Sequence, residues 1–124
     1  LIYSLLLEEK LKKYNTKVWL VNTGWKGGIY GIGNRYDIKF TRTIIDAINN
    51  NQIEEDFETL EVFNLKYPKN IKCLEQSQLN PENNWENKED YKKYRIQLAE
   101  IFVKNYKKYK LNNYQHLEEA GPLI

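Results

Sequence analysis

Five of the six glycines in this chain stand at positions 24, 27, 28, 31 and 33. So dense a run is neither helix interior nor regular strand, because glycine loses more backbone entropy on ordering than any other residue. It predicts a loop in which the backbone takes positive φ or lies close against another group. Trp25 and Tyr30, set between the glycines, are read as packing residues rather than base stackers, since aromatic rings usually fill cores.

The segments on either side predict regular structure. Residues 1–14 read as a helix, with Tyr3, Leu6, Leu7 and Leu11 on one stripe and Glu8, Glu9, Lys12 and Lys13 on the other side. Val18-Trp19-Leu20-Val21 is a continuous apolar run with β-branched and aromatic members, and predicts a buried strand. After the loop a helix is expected to begin at Thr41, with Ile44, Ile45 and Ile48 as its apolar face and Asn49-Asn50-Asn51 as its end. Residues 57–63 alternate enough for a strand. Residues 64–86, polar and holding two prolines, read as surface loop. Asn87 caps a final long helix with acid in its first turn. Tyr91, Tyr94, Leu98, Ile101, Phe102 and Tyr109 are its expected apolar stripe, and Lys107, Lys108 and Lys110 stand near its end. The tail, residues 117–124, reads as irregular. The fold class is α/β: a mixed-sheet piece flanked by helices, too thin to be a whole sheet, and expected to be completed by further chain.

Residues 24–42 hold three features relevant to a ligand. The glycines expose backbone N–H groups able to cradle an anion. Arg35 offers a planar cation that stacks on a ring or clamps a phosphate, the alternative being a surface ion pair. Thr41 offers a hydroxyl near a helix start and is expected to cap that helix. Known nucleotide loops do not match. No Lys-Ser/Thr follows the glycines, and no third glycine stands at the dinucleotide-binding spacing. Spacing alone leaves both a ligand-contacting loop and a purely structural turn open.

Composition narrows the alternatives. With 124 residues and a formal charge of +2, the chain is one small domain without a strong pull toward nucleic acid or membrane. Asn, Lys, Ile and Tyr share AT-rich codons, so the lysines are not read as a nucleic-acid footprint. His116 and Cys73 are the only histidine and cysteine. A zinc site from these residue types is therefore excluded, as is an intrachain disulfide, and a reducing, cytoplasmic compartment is expected. Cys73 has nothing basic nearby to activate it. The apolar run of residues 1–7 is too short to span a membrane and shows no leader or cleavage site. The chain opens on Leu1 inside that run, so it is expected to be a portion of something longer.

The string Val21-Asn22-Thr23-Gly24-Trp25-Lys26-Gly27-Gly28-Ile29-Tyr30-Gly31-Ile32-Gly33-Asn34-Arg35, followed by Thr41-Arg42-Thr43-Ile44-Ile45-Asp46-Ala47-Ile48, resembles the C-terminal motif of ATP-dependent phosphoenolpyruvate carboxykinases. The likeness runs on through Leu5-Leu6 with Glu9-Lys10, Asn64-Leu65 with Pro68, Leu79-Asn80-Pro81-Glu82-Asn83-Asn84-Trp85, Leu98-Ala99-Glu100-Ile101-Phe102 with Asn105-Tyr106, and Ala120-Gly121-Pro122. It implies that residues 1–124 are the C-terminal part of the carboxykinase nucleotide-binding, catalytic domain. The family converts oxaloacetate and ATP to phosphoenolpyruvate, carbon dioxide and ADP, in gluconeogenesis, with Mg²⁺ and Mn²⁺. Decarboxylation leaves an enolate that takes the γ-phosphoryl group, its charge offset by metals and Lys/Arg side chains.

Carried over residue by residue, the resemblance implies an adenine site. Arg35 would lie against the ring, Thr41 would hydrogen-bond its edge, the backbone at Tyr36 would contact the base, and the glycine loop would shape the wall. Two positions depart from the family pattern: Asn34, where a basic residue is usual, and Glu82, where Arg is common. The first puts any extra contact from that position in doubt. The phosphate loop, the metal-ligand Lys, His and Asp, and the oxaloacetate-gripping Arg have no counterparts here. The resemblance therefore implies no catalytic residue and no metal ligand in these 124 residues. It makes ATP, oxaloacetate and the N-terminal remainder of the enzyme the partners. Two alternatives compete: a non-catalytic nucleotide-binding or interaction module of the same ancestry, and a small nucleic-acid-binding domain on the Lys/Tyr-rich last helix, which the near-neutral charge opposes.

Overall fold

The computed structural model describes residues 2–109 and 120–124. The Tyr109 side chain, Lys110, His116 and tail residues 117–119 lie outside the described residues, with the expectations placed on them. Among the described residues, four α-helices and two small antiparallel sheets follow one another: α1 (Ile2–Tyr14), β1 (Trp25–Lys26), β2 (Asn34–Arg35), α2 (Ile38–Asn49), β3 (Phe57–Leu60), β4 (Leu65–Pro68), α3 (Gln76–Leu79) and α4 (Lys88–Tyr106), with short 3-10 turns at Pro81–Asn84 and Lys107–Tyr109. The mixed helix-and-sheet class agrees with the sequence. The sheet does not form one layer: β1 pairs with β2, and β3 pairs with β4 separately.

The strand expected at residues 18–21 is corrected. The segment belongs to no ladder. Val18 and Leu20 face solvent, while Trp19 turns inward to Phe57, ring centroids 6.1 Å apart. β-branched and aromatic residues favour a pleated, half-buried surface but do not supply the neighbouring strand that a ladder needs. In this chain β3 and β4 satisfy each other instead, from Phe57↔Pro68 to Leu60↔Leu65. Residues 64–86 are likewise not a surface loop. They hold β4, α3, the Pro81–Asn84 turn and the buried Ile71, which bridges to Ile53.

α4 starts where expected: the Asn87 side chain accepts from the Glu89 and Asp90 N–H groups at 2.9 and 3.3 Å. Its inward stripe differs from the expected one. Tyr91 and Ala99 are buried and Arg95 lies between them, whereas Leu98 and Ile101 are exposed. Small Ala99 permits close approach, and the Arg95 stem covers apolar surface while its guanidinium lies over Tyr91 at 5.3 Å and pairs with Glu61 at 3.1 Å. Phe102 meets Phe63 edge-on at 6.0 Å, so α4 packs on the β3–β4 turn. The tail reaches the same turn, with the Leu123 N–H donating to the Val62 carbonyl at 2.6 Å.

The core is small. Among the described residues only Ala47, Ile71, Tyr91 and Ala99 are buried, and no large side chain is fully enclosed. The stripe of α1 buries nothing; Tyr3, Leu6 and Leu7 are all exposed.

Candidate functional site: the glycine hairpin and the start of α2

The glycine loop is a hairpin. Trp25 pairs with Arg35 and Lys26 with Asn34, and the Tyr36 N–H extends the ladder to the Gly24 carbonyl at 2.9 Å. At its tip the N–H groups of Ile32 and Gly33 both donate to the Ile29 carbonyl, at 3.0 and 2.9 Å. Of the glycine N–H groups that looked available for an anion, that of Gly33 is thus used within the loop, as is that of Gly24, which donates to Asn22 Oδ1 at 2.9 Å. Gly33 is required by close approach: a Cβ there would lie 2.5 Å from the Lys26 carbonyl oxygen and 2.6 Å from that of Gly28. Trp25 and Tyr30 pack on each other, edge to face at 5.3 Å.

Arg35 is exposed at the end of β2, across from Trp25. None of the ion pairs among the described residues involves it, so the surface ion-pair alternative finds no partner there. Asp37 follows Tyr36 and, rather than Thr41, caps α2: its Oδ1 accepts from the Lys39 N–H at 2.8 Å. Thr41 lies one turn inside the helix, half-buried, with its N–H on the Asp37 carbonyl at 3.2 Å and its Oγ1 at 3.5 Å from the same oxygen. The signal for the true cap was present, since Asp preceding an apolar-periodic segment is a standard helix start. The capping role assigned to Thr41 is therefore withdrawn. The far end stops as expected at Asn50, whose side chain donates to the Asp46 carbonyl at 2.8 Å, and at left-handed Asn51.

Tyr36 serves a different environment from its neighbours. Its ring stacks on Phe40 at 5.0 Å and 13°, the Lys26 ammonium lies 5.4 Å from its centroid, and burial raises its phenol pKa. It lines a cavity of about 260 Å³, with Trp19, Val21, Lys26, Phe40 and Trp85 also in the walls. Neither Arg35 nor Thr41 is in those walls. The cavity is predominantly apolar, with Lys26 as its single cation, which suits a packing gap between elements better than a triphosphate site. Sequence reasoning had no means of separating Tyr36 from Arg35 in this way, and it missed Lys26 and Phe40. The Tyr36 N–H is already bonded to Gly24, so a base contact through this backbone has to use the carbonyl, which suits an exocyclic amine.

The described residues contain no group of three or more His, Cys, Asp or Glu side chains able to hold a metal ion. Among the described residues no helix is long and apolar enough to cross a membrane.

The fold and site together define a mixed α/β chain organised round a glycine-rich hairpin that leads directly into a capped helix. The family model described as phosphoenolpyruvate carboxykinase matches residues 1–77, and the chain belongs to the ATP-dependent phosphoenolpyruvate carboxykinase family. It is 43% identical to the protein named phosphoenolpyruvate carboxykinase (ATP) from Campylobacter lari, over 99% of this chain and 24% of that relative. It is 44% identical to the one from Sulfurimonas denitrificans, over 99% of this chain and 24% of the relative. For the one from Campylobacter jejuni subsp. doylei the figure is 48%, over 87% and 21%. The chain thus spans about a quarter of the length of the relatives it matches.

Proposed function

We infer that this chain is the C-terminal part of the nucleotide-binding, catalytic domain of a cytoplasmic ATP-dependent phosphoenolpyruvate carboxykinase. That enzyme decarboxylates oxaloacetate and phosphorylates the resulting enolate with ATP, in gluconeogenesis, using Mg²⁺ and Mn²⁺. The residues here bind and orient; they perform neither chemical step. Arg35 stacks on the adenine ring, Thr41 hydrogen-bonds its edge, and the Tyr36 carbonyl accepts from the base. The metals, the phosphate loop and the oxaloacetate site belong to the remainder of the enzyme, with which this chain must pack.

The observation that carries this reading is the hairpin–helix unit. It holds Arg35 exposed and outside every ion pair among the described residues, with Thr41 one turn into the helix that follows. A guanidinium stacked on a ring is worth about 0.5–2 kcal/mol. In the full-length enzyme, Arg35→Ala is expected to raise the KM for ATP about tenfold, equivalent to about 1.4 kcal/mol. The KM for oxaloacetate and kcat should stay close to wild type. An unchanged ATP KM would sink the assignment.

A further inference from the structure

Gly27 lies against backbone from far along the chain. It sits at φ +73°, and a Cβ built on it would fall 2.5 Å from the carbonyl oxygen of Asn84. The obstacle is main chain, so no rotamer change relieves it. Gly31, the other left-handed glycine of the loop at φ +90°, has nothing within 4 Å of such a Cβ. Both need glycine's backbone freedom, but only Gly27 needs its lack of a side chain.

Asn84 is tied into its own turn. It closes the Pro81–Asn84 turn, and its Nδ2 donates to the carbonyls of Gln78 at 3.4 Å and Asn80 at 3.3 Å. The Asn80 Oδ1 in turn accepts from the Glu82 N–H at 3.0 Å. Next in the chain, Trp85 packs on Tyr91 and Tyr94 of α4, with centroids 5.9 and 5.7 Å apart. On the other side of the contact, Gly27 directly follows β1, whose two residues pair with Asn34 and Arg35.

We propose that the Pro81–Asn84 turn is a buttress that sets the pose of the glycine hairpin, so that Gly27, Asn84 and Asn80 are positioning residues for Arg35. This rests on the assignment of Arg35 to the adenine ring. The three residues act by fixing where β2 lies. Asn80 and Asn84 fall beyond residues 1–77, the stretch the family model matches.

The test is steady-state kinetics of the full-length enzyme. Gly27→Ala must displace the hairpin from the Asn84 carbonyl, and the KM for ATP is expected to rise roughly tenfold, with kcat and the oxaloacetate KM within about twofold. Asn84→Asp keeps the shape but removes the amide donor, and should raise the same parameter at least about threefold. Gly31→Ala adds φ strain without a clash, and its effect on the ATP KM should be less than about a third of that of Gly27→Ala. Arg35→Ala is measured alongside. If it raises the ATP KM while Gly27→Ala and Asn84→Asp do not, the buttress is overturned and the adenine assignment stands. If Arg35→Ala has no effect, the assignment itself fails. Should Gly27→Ala not fold, Asn84→Asp and Asn80→Ala decide the matter. Variants that lose thermal stability but keep the wild-type ATP KM would show a purely structural turn and overturn the proposal.

Discussion

Cys73 is exposed and sits at φ +70° in the turn closed by the Leu74 N–H on the Ile71 carbonyl at 3.0 Å. A left-handed conformation costs an L-residue about 1–2 kcal/mol, and glycine gives back about 0.5–1 of that through its greater unfolded freedom. Because the side chain is exposed, Cys73→Gly should stabilise the protein by about 0.5–1 kcal/mol. Its thermal midpoint should rise by a few degrees, and a lower one would disprove the account. Val62, also at φ +70°, is a poorer target because its half-buried side chain would be lost. Local chemistry was the most legible part of the sequence. Asn87 and Asn50 act within a few residues of themselves and fall where expected. Thr41 was misread because a hydroxyl near a helix start resembles a cap until the start is located, and Asp37 supplies the cap instead.

The β3–β4 hairpin carries a pH dependence of its own. Glu58 and Tyr67 stand directly opposite, and the Tyr67 hydroxyl donates to the Glu58 carboxylate. Burial first, and then that hydrogen bond, push the phenol from 10.0 to about 12. The folded hairpin therefore keeps a proton that the unfolded chain releases. This contribution to stability is complete below about pH 10 and is lost as pH rises toward about 12. Urea unfolding across that range should show stability falling with pH. In Tyr67→Phe the slope should shrink to what Tyr36 and Tyr91, raised by burial, and Lys69 and Lys92, raised by their hydrogen bonds to Asp56 and Glu89, contribute. An identical slope in the variant would exclude Tyr67 as the source. Elements were less legible than caps. The helices at both ends of the chain and the start of β3 follow from periodicity and alternation. β4 was lost in a polar, proline-containing stretch because its partner, not its own composition, makes it a strand.

At the scale of the whole molecule, apolar surface is left uncovered. Leu20 is 84% exposed, Tyr3 87% and Val18 62%, on the segments that precede the hairpin. Apolar side chains this exposed are expected to be covered by another element. On the proposed assignment that element belongs to the remainder of the enzyme; alone, the chain should self-associate and turn over no oxaloacetate. Sedimentation of the purified 124-residue chain over a range of concentrations, with a carboxykinase assay on the same sample, checks both. A stable monomer would refute the first expectation and measurable turnover the second. The ordered residues around the glycines were enough to place this chain in its family, because such a motif is local and survives being read one residue at a time. The same holds for Arg35 and Thr41 as candidates. Only the tertiary structure decided that residues 18–21 have no strand beside them among the described residues, that Tyr36 turns into an apolar cavity away from Arg35, and that Gly27 rests on Asn84. Each is a contact, or a missing contact, between segments distant in sequence, and no property of either segment alone encodes it.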